Sequence, residues 1–510
     1  MRSGLKADLF ANFAGTGWAA LAQLVCIPLY VKFLGIEAYG LIGFYLMFQA
    51  MAQVLDLGLS PTMNREMARY SVLPEKSAEA RDLVRTLEAG YWLIGLLIAV
   101  VLVLASAWIA THWIRAGTLP THTVQQAVVL MGLLAFFQWP LSFYQGGLMG
   151  LRQQVLFNAL RITVVTFNSA GAVLILWLVS PTIQAFLAWQ VAVSAAQAGA
   201  LAILLWKCLP SAPRPSWFDF SLVRKIGPFA AGMSAIALAS LILTQIDKVV
   251  VSKLLPLKVF GYYTLAWTLA NGLSLISAVV FNVVFPRMSA QFAAHDESAL
   301  SQSYHTGSQL MAVLVLPLAA VLSFFSFDIM RLWTRNTEVA SFAAPILTIL
   351  VIGSAMNAML YLPYSLQLAA GWTKLMLAVS VISVVAVIPL TVVFTESFGS
   401  VGTATVWAAV NVLSLVVTVP FVHRRLLRRD LWKYFRDIGL PLIAAVGVVV
   451  IGYLCFPVLT STLTALAAVL SVWLGAMLAT VVAAPRIRSL AFAELSDLRL
   501  QCRRLVRSLG

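Results

Sequence analysis

Residues 56–70 read DLGLSPTMNREMARY. They close a stretch that opens near Tyr39 and is otherwise almost wholly apolar. A carboxylate, Asp56, stands before its end, followed by Gly58, the pair Ser60-Pro61, and two arginines, Arg65 and Arg69. The arginines are four residues apart, so a helix carries them on one face. What such a segment does depends on the solvent around it. The chain has 510 residues, of which 61% are hydrophobic and 10% charged. Soluble globular proteins carry roughly 45–50% apolar and about 25% charged residues. There are too few polar side chains to cover a soluble fold, so most of this chain is solvated by lipid.

A helix needs about 20 apolar residues to cross a bilayer. Fourteen segments meet that need, centred on residues 9–32, 38–62, 89–111, 124–147, 157–180, 184–206, 226–252, 259–285, 306–330, 342–367, 373–395, 400–422, 438–457 and 463–484. Helices are the expected form because hydrocarbon offers backbone groups no other partner. The mildly basic MRSGLKADLF leads into an apolar run over 9–33. That run is longer than a signal peptide's apolar region and lacks an A-x-A-like cleavage site, so it reads as a retained first helix.

Basic residues set the orientation. Of 34 Lys and Arg, only Lys32, Arg115, Lys248, Lys253, Lys258, Arg331 and Arg335 fall on the outer side when both termini are cytoplasmic. The positive-inside rule favours that orientation, and with it an even helix count. The net charge of +15 then calls for no nucleic acid, because basic loops face an anionic inner leaflet. HRRLLRRDLWKYFRD (423–437) and RSLAFAELSDLRLQCRRLVRSLG (488–510) read either as amphipathic segments on that leaflet or as plain topology signal. Cys26, Cys208, Cys455 and Cys502 are far apart in sequence, so neither a disulfide nor a metal site is expected.

The chain repeats. An offset of 221 places VKFLGIEAYGLIGFY (31–45) on SKLLPLKVFGYYTLA (252–266), with Lys32 on Lys253, Leu34 on Leu255 and Gly40 on Gly261. An offset of 218 places Trp189 on Trp407, and Arg65 and Arg287 fall within a residue of register. The organisation that follows is a six-helix lobe (1–206), a Pro-rich basic cytoplasmic linker (207–225) and a second six-helix lobe (226–422). A basic cytoplasmic loop (423–437), two added helices (438–484) and a basic amphipathic tail (485–510) complete it. Six is even, so the two halves run the same way through the membrane, with a site expected between them near the midplane. The fold class is an all-α polytopic membrane protein, two parallel halves around a central cavity plus two C-terminal helices.

No G-x-x-x-x-G-K-[ST], H-E-x-x-H or G-x-S-x-G occurs. His112, His122, His295, His305 and His423 scatter near helix ends and loops. The longest hydrophilic loop, around 63–88, reads as a charged connector. A membrane polysaccharide polymerase or glycosyltransferase is the contrasting class, and it would show acidic pairs on a sizeable external loop. The short outer loops disfavour an enzyme.

FLGIEAYGLIGFYLMFQAMAQVLDLGLSPTMNREMAR resembles the start of polysaccharide flippases of the MOP exporter superfamily (Wzx-like proteins). The Leu-Gly-x-x-x-Tyr-Gly turn is Leu34, Gly35, Tyr39 and Gly40; the later Asp-x-Gly stretch ending in Arg is Asp56, Gly58 and Arg65. QIDKVVVSKLLPLKVFGYYTLA looks similar to the family's second-half pattern through Asp247, Lys248, Gly261 and Tyr262, as does VVFPRMS (283–289). The likeness covers helices 1–12. It implies a bundle of MATE-like fold in the bacterial inner membrane that opens alternately to each side. It also implies a cargo, a polyprenyl-pyrophosphate-linked oligosaccharide, moved from the inner to the outer leaflet for O-antigen, capsule or exopolysaccharide assembly. Membrane lipids, a polysaccharide polymerase and a chain-length regulator are the partners such a role suggests. A drug/cation antiporter of the same fold is the alternative, although fourteen helices fit it less well than twelve. No cofactor is expected; H⁺, Na⁺ or the substrate gradient is left open as the driving force.

Asp56 lies about 9 Å, at 1.5 Å per residue, from the inner end of its helix. A carboxylate there is expected to face the bundle interior, paired with a base or holding a proton. Ser60-Pro61 is expected to break the helix. Arg65 and its repeat partner Arg287 are the candidate clamp for the diphosphate, with Lys32, Lys253 and Arg161 as further candidate substrate-binding cations. Each has an alternative reading as a topology signal or a snorkelling side chain. Asp247 and Lys248 are adjacent, so they should not share a helical face; one is expected to face the other half in coupling or gating, unless the two are simply structural.

Overall fold

The computed structural model describes residues 2–492 except 53–55, 57, 213, 373, 428–429, 457–460 and 491. The side chains of 2–14, 74, 223 and 225–240 also lie outside the described set, as does the tail beyond 492 with most of the amphipathic stretch expected at 488–510. The chain is helical. In order come α1 (Arg2–Ala52), α2 (Leu59–Tyr70), α3 (Ser77–Trp108), α4 (Thr121–Gly150), α5 (Gln154–Leu178), α6 (Ile183–Cys208) and α7 (Phe220–Leu254). Then follow α8 (Leu257–Ala293), α9 (Glu297–Phe324), α10 (Ser326–Thr334), α11 (Thr337–Ala369), α12 (Lys374–Leu426), α13 (Leu431–Cys455) and α14 (Thr462–Ala483). Among the described residues, 11 helices are long and apolar enough to cross a membrane. Two of these, α1 and α12, each join two helices at a glycine with positive φ, Gly35 and Gly399. The protein is a multi-pass membrane protein.

Helix ends differ from the sequence expectation where polar residues mislead. The connector around 63–88 is mostly helix: α2, a short turn at Pro74–Lys76, and the first turns of α3. Asp82, Thr86 and Glu88 are buried there, so the charges mark packing and not solvent. The span placed at 306–330 begins earlier, at Glu297, capped by Asp296, whose side chain accepts the Ala299 N–H at 2.9 Å. The short α10 was not foreseen. Residues 423–426 finish α12 and 431–437 open α13, with His423, Tyr434 and Asp437 buried, so this stretch is not a helix lying on a surface.

The packing is that of a chain in lipid. Along α14, Leu463, Leu466, Leu470, Leu474, Leu478 and Val482 point outward, while Ala465, Ala468, Val472, Ala476 and Thr480 are buried. A soluble helix would do the reverse. In a bilayer, leucine loses nothing by facing hydrocarbon, and small residues let helix backbones approach. Gly452 of α13 sits where a Cβ would strike Val472 of α14.

The chain divides into two compact units, Met1–Gly261 and Tyr262–Gly510. In the first, α4 packs against α2, α3 and α6, and α1 against α5 and α7. A dense core of Met63, Met67, Tyr91, Phe143, Tyr144 and Leu148 joins α2, α3 and α4. The end of α7 is strapped to the end of α3. Leu257 N–H donates to the Arg115 carbonyl at 2.9 Å, Trp113 Nε1 donates to Ser252 Oγ at 3.2 Å, and Arg115 Nη1 donates to the Leu254 carbonyl at 2.8 Å. These ties place the unit boundary inside α8. They also produce a reciprocal contact. A Cβ on Gly40 would lie 2.5 Å from the Leu257 carbonyl oxygen, and one on Gly261 would strike the Ile36 carbonyl oxygen. Ile36 and Leu257 are themselves related by the offset of 221, so each member of the repeated motif needs its glycine to admit the other's backbone. In the second unit, α9 is the most enclosed helix and is contacted by α11, α13 and α14.

Candidate functional site

The site grows from the break before α2. α2 begins at Leu59, and Gly58 before it is left-handed at φ 69°. Only glycine takes that conformation without strain. The break therefore lies before Ser60-Pro61, which instead occupies the first turn of α2, where proline's missing N–H costs nothing. Asp56 stands two residues before Gly58. Its carboxylate accepts the Ser60 N–H at 3.1 Å and the Ser60 hydroxyl at 2.7 Å, the Tyr91 hydroxyl of α3, and the Ser142 hydroxyl of α4 at 3.4 Å. Among the described residues no cation pairs with it; neutral donors hold its charge.

One turn along α4 from Ser142, on the same face, is Gln138. Its Oε1 accepts from the Tyr45 hydroxyl and, at 2.5 Å, from Gln49 Nε2, both on α1. Its Nε2 donates to Ser194 Oγ of α6 at 3.2 Å. The result is a continuous polar track on helices that are otherwise apolar. Beside it, Asn168 Nδ2 donates to Gln190 Oε1 at 2.7 Å and Trp189 Nε1 to the Asn168 carbonyl at 3.0 Å. Sequence reading missed Tyr45, Gln49, Gln138 and Ser194. The signal was there, an amide inside AFFQWPLSF (135–143), but it carried no charge to draw notice.

Each expected cation has a definite place. Arg65, on α2, is exposed and pairs with buried Glu66 at 3.4 Å; Arg69 reaches the same carboxylate at 3.8 Å. Lys32 is exposed, 5.8 Å from the Phe33 ring centroid. Arg161 Nη1 donates to Thr16 Oγ1 at 3.4 Å, joining α5 to α1. Lys253 donates to the His112 carbonyl and lies over Trp113 at 5.2 Å and Trp108 at 5.8 Å, so its charge is spent on the strap between α7 and α3. Arg287 is exposed on α8 and belongs to the second unit. Asp247 and Lys248 are both buried, and they pair with each other: Lys248 Nζ lies 3.2 Å from each Asp247 oxygen and donates to the Thr244 carbonyl at 2.8 Å. Adjacent residues were expected to diverge. The long lysine side chain folds back instead, because a buried charge without its partner would cost several kcal/mol.

The linker at 207–225 is anchored and not free. Asp82 of α3 receives the Trp217 N–H at 2.7 Å and the Arg214 guanidinium at 2.5 Å, and Thr86 receives the Asp219 N–H at 2.9 Å. Glu88, farther along α3, accepts the Tyr144 hydroxyl at 2.8 Å and Trp206 Nε1 at 3.2 Å.

The second unit holds a buried ionisable cluster that sequence reading dispersed. His305 of α9 places Nδ1 2.6 Å from Asp437 Oδ2 of α13 and Nε2 3.5 Å from Asp430 Oδ2. Gln309 Nε2 donates to Asp437 Oδ1 at 2.6 Å, and Gln309 Oε1 accepts the Arg486 N–H at 2.9 Å. The cluster pins α9, α13 and the segment after α14 together. His305, near the start of α9, and His423, in the last turn of α12, do lie near helix ends, but both are buried packing residues.

Comparison with known proteins places this arrangement in context. Residues 5–292 match the family described as polysaccharide biosynthesis protein, and residues 233–393 match the MatE family. A Shigella flexneri protein assigned as an O-antigen transporter is 22% identical over 210 residues, 41% of this chain and 49% of the relative. The chain thus matches about half the length of that curated relative. Among solved structures, the lipid II flippase MurJ in an inward closed conformation matches with a TM-score of 0.69 at 14% identity, over 93% of this chain and 98% of its own. An inward-facing MATE-family multidrug resistance transporter of the MOP superfamily matches with a TM-score of 0.67 at 13% identity, over 81% and 96%. At such identities the structures speak for the fold, which is that of the MOP superfamily.

Proposed function

We propose, from the premise that the chain belongs to the polysaccharide biosynthesis protein family, that it is a lipid-linked oligosaccharide flippase, a transporter without catalytic chemistry. Its cargo is a polyprenyl-diphosphate-linked oligosaccharide, moved from the inner to the outer leaflet of a bacterial inner membrane. There a polymerase and its chain-length regulator take it up. Both termini are cytoplasmic.

The observation that carries this reading is the track from Asp56 through Ser142 and Gln138 to Ser194. Polar side chains inside spanning helices are costly and mark transport paths. Amides and hydroxyls both donate and accept, as sugar hydroxyls do, so this track suits a glycan. The diphosphate is left to the cations, with the exposed Arg65 of α2 first and Lys32 and the half-buried Arg161 as supporting charges. Asp56 is the group through which H⁺ or Na⁺ coupling would act, since neutral donors surround it and an added cation would find an unpaired charge.

A deletion strain tests the reading. It should accumulate lipid-linked oligosaccharide in the inner leaflet, with drug susceptibility unchanged. Normal oligosaccharide lipid together with raised drug sensitivity would instead favour the antiporter that the MatE match keeps in view.

A further inference from the structure

The second unit contains a cavity of about 890 Å³ between the end of α8, the start of α9 and the segment after α14. Volumes of this order suit small ligands and head groups. Two arginines line it, Arg287 from α8 and Arg486 from the segment after α14, and no carboxylate is among the lining residues. From α9 come the hydroxyls of Ser298, Ser301, Ser303 and Thr306 and the side chain of Gln302, and Ser489 adds another hydroxyl. The apolar part of the wall is Val283, Val284, Leu310, Ile487 and Leu490. No carboxylate lines the cavity around the Arg287 guanidinium, and among the described residues Arg486 uses its side chain only on the Gln302 carbonyl at 3.4 Å.

Of the described acids on the bordering elements, Asp430 accepts the Ser301 hydroxyl at 2.8 Å and pairs with Lys433 at 2.6 Å. Asp296 caps α9, and Glu297 is exposed and not part of the lining. The charge of the lining itself is therefore positive. Arg486 is also held in place from behind: its backbone N–H is bonded to Gln309, which is 2% exposed and bonded in turn to Asp437. A buried network that ends on the backbone of a cavity-lining arginine is how a binding group is kept in position.

We propose that this cavity binds the phosphate or diphosphate group of a lipid, with Arg287 and Arg486 as its cations, the α9 hydroxyls as further donors, and the apolar wall against the start of the lipid chain. Guanidinium groups suit phosphate oxygens through paired hydrogen bonds. An amphipathic ligand is called for because the lining combines two guanidinium groups with apolar side chains. In the proposed topology the cavity lies on the cytoplasmic side, where a lipid-linked substrate is first met. Which lipid it takes rests on the flippase reading; that it takes a lipid phosphate does not.

The test uses the full chain purified in detergent, with undecaprenyl diphosphate, phosphatidylglycerol and inorganic pyrophosphate as separate probes. Binding of the lipid diphosphate should weaken about tenfold in R287Q and again in R486Q, the loss of one charged hydrogen-bonding group each. R287K and R486K should fall between, since a point charge attracts phosphate but loses the paired geometry. R488Q, the same charge change outside the cavity lining, should bind as the parent does and control for net charge. The double R287Q/R486Q variant binding as tightly as the parent would overturn the site. Pyrophosphate binding as tightly as the lipid would overturn the role of the apolar wall and with it the lipid. Equal, arginine-dependent binding of phosphatidylglycerol would support the site as one for bilayer head groups in general. Arginine-dependent binding beside a deletion strain with no accumulated oligosaccharide lipid would remove the flippase reading and leave the site standing.

Discussion

Asp56 was legible because a carboxylate in an apolar run has no cheap place in lipid. Its partners were not, because Tyr91 and Ser142 lie on other helices and are ordinary membrane residues taken one at a time. The carboxylate does two things that a substitution separates. As the acceptor of the Ser60 N–H it tethers the first turn of α2, and an asparagine side-chain oxygen can accept that bond too. Asp56→Asn should therefore leave thermal stability in detergent within about 1 kcal/mol of the parent. If Asp56 also couples transport to a cation, the same variant should lose most of its export; unchanged export would reduce Asp56 to a tether. Arg65 makes a second case. Arg65 is exposed while its partner Glu66 is buried, so solvent screens the pair, and Arg69 also serves Glu66; losing Arg65 costs little stability. Arg65→Ala should abolish export at an unchanged membrane level, with Arg65→Lys retaining part of it. Full export by Arg65→Ala would leave the residue a topology signal only.

At the scale of the element, apolar length and period located the spanning helices well, and polar residues located their ends badly. Glu297 and Ser298 look like a loop in sequence, yet Asp296 caps a helix there. The 63–88 stretch looks solvated, yet Asp82 and Glu88 are buried because Arg214, Trp206 and Tyr144 come from elsewhere to meet them. Such partners lie more than 50 positions away, beyond any local pattern. The repeated glycines fared differently. Gly40 and Gly261 were picked out by the offset alone, and each proves to be where a backbone carbonyl approaches. Overpacking at such a point costs about 1–3 kcal/mol. Gly261→Val should lower the melting temperature in detergent, and Gly40→Val should do the same. The same change at Gly439, which has open space around its would-be Cβ, should cost much less. Equal melting temperatures for all three would contradict the close approach.

At the scale of the whole molecule, composition alone established a chain dissolved in lipid, and the outward leucines of α14 give that statement a face. The distribution of Lys and Arg sets the topology: reporter fusions at Thr118 and at Gly510 should read periplasmic and cytoplasmic respectively. A periplasmic signal at Gly510 would mean an odd number of crossings. The central claim is that the polar track passes a glycan lipid across the bilayer, and translocation by purified protein tests it most directly. Proteoliposomes carrying a lipid-diphosphate-linked oligosaccharide in one leaflet should lose it to the other at a rate set by the protein. Gln138→Leu, which removes the amide joining Tyr45, Gln49 and Ser194, should slow that transfer without unfolding the chain. Transfer no faster than in protein-free vesicles, or transfer at the parental rate by Gln138→Leu, would contradict the account.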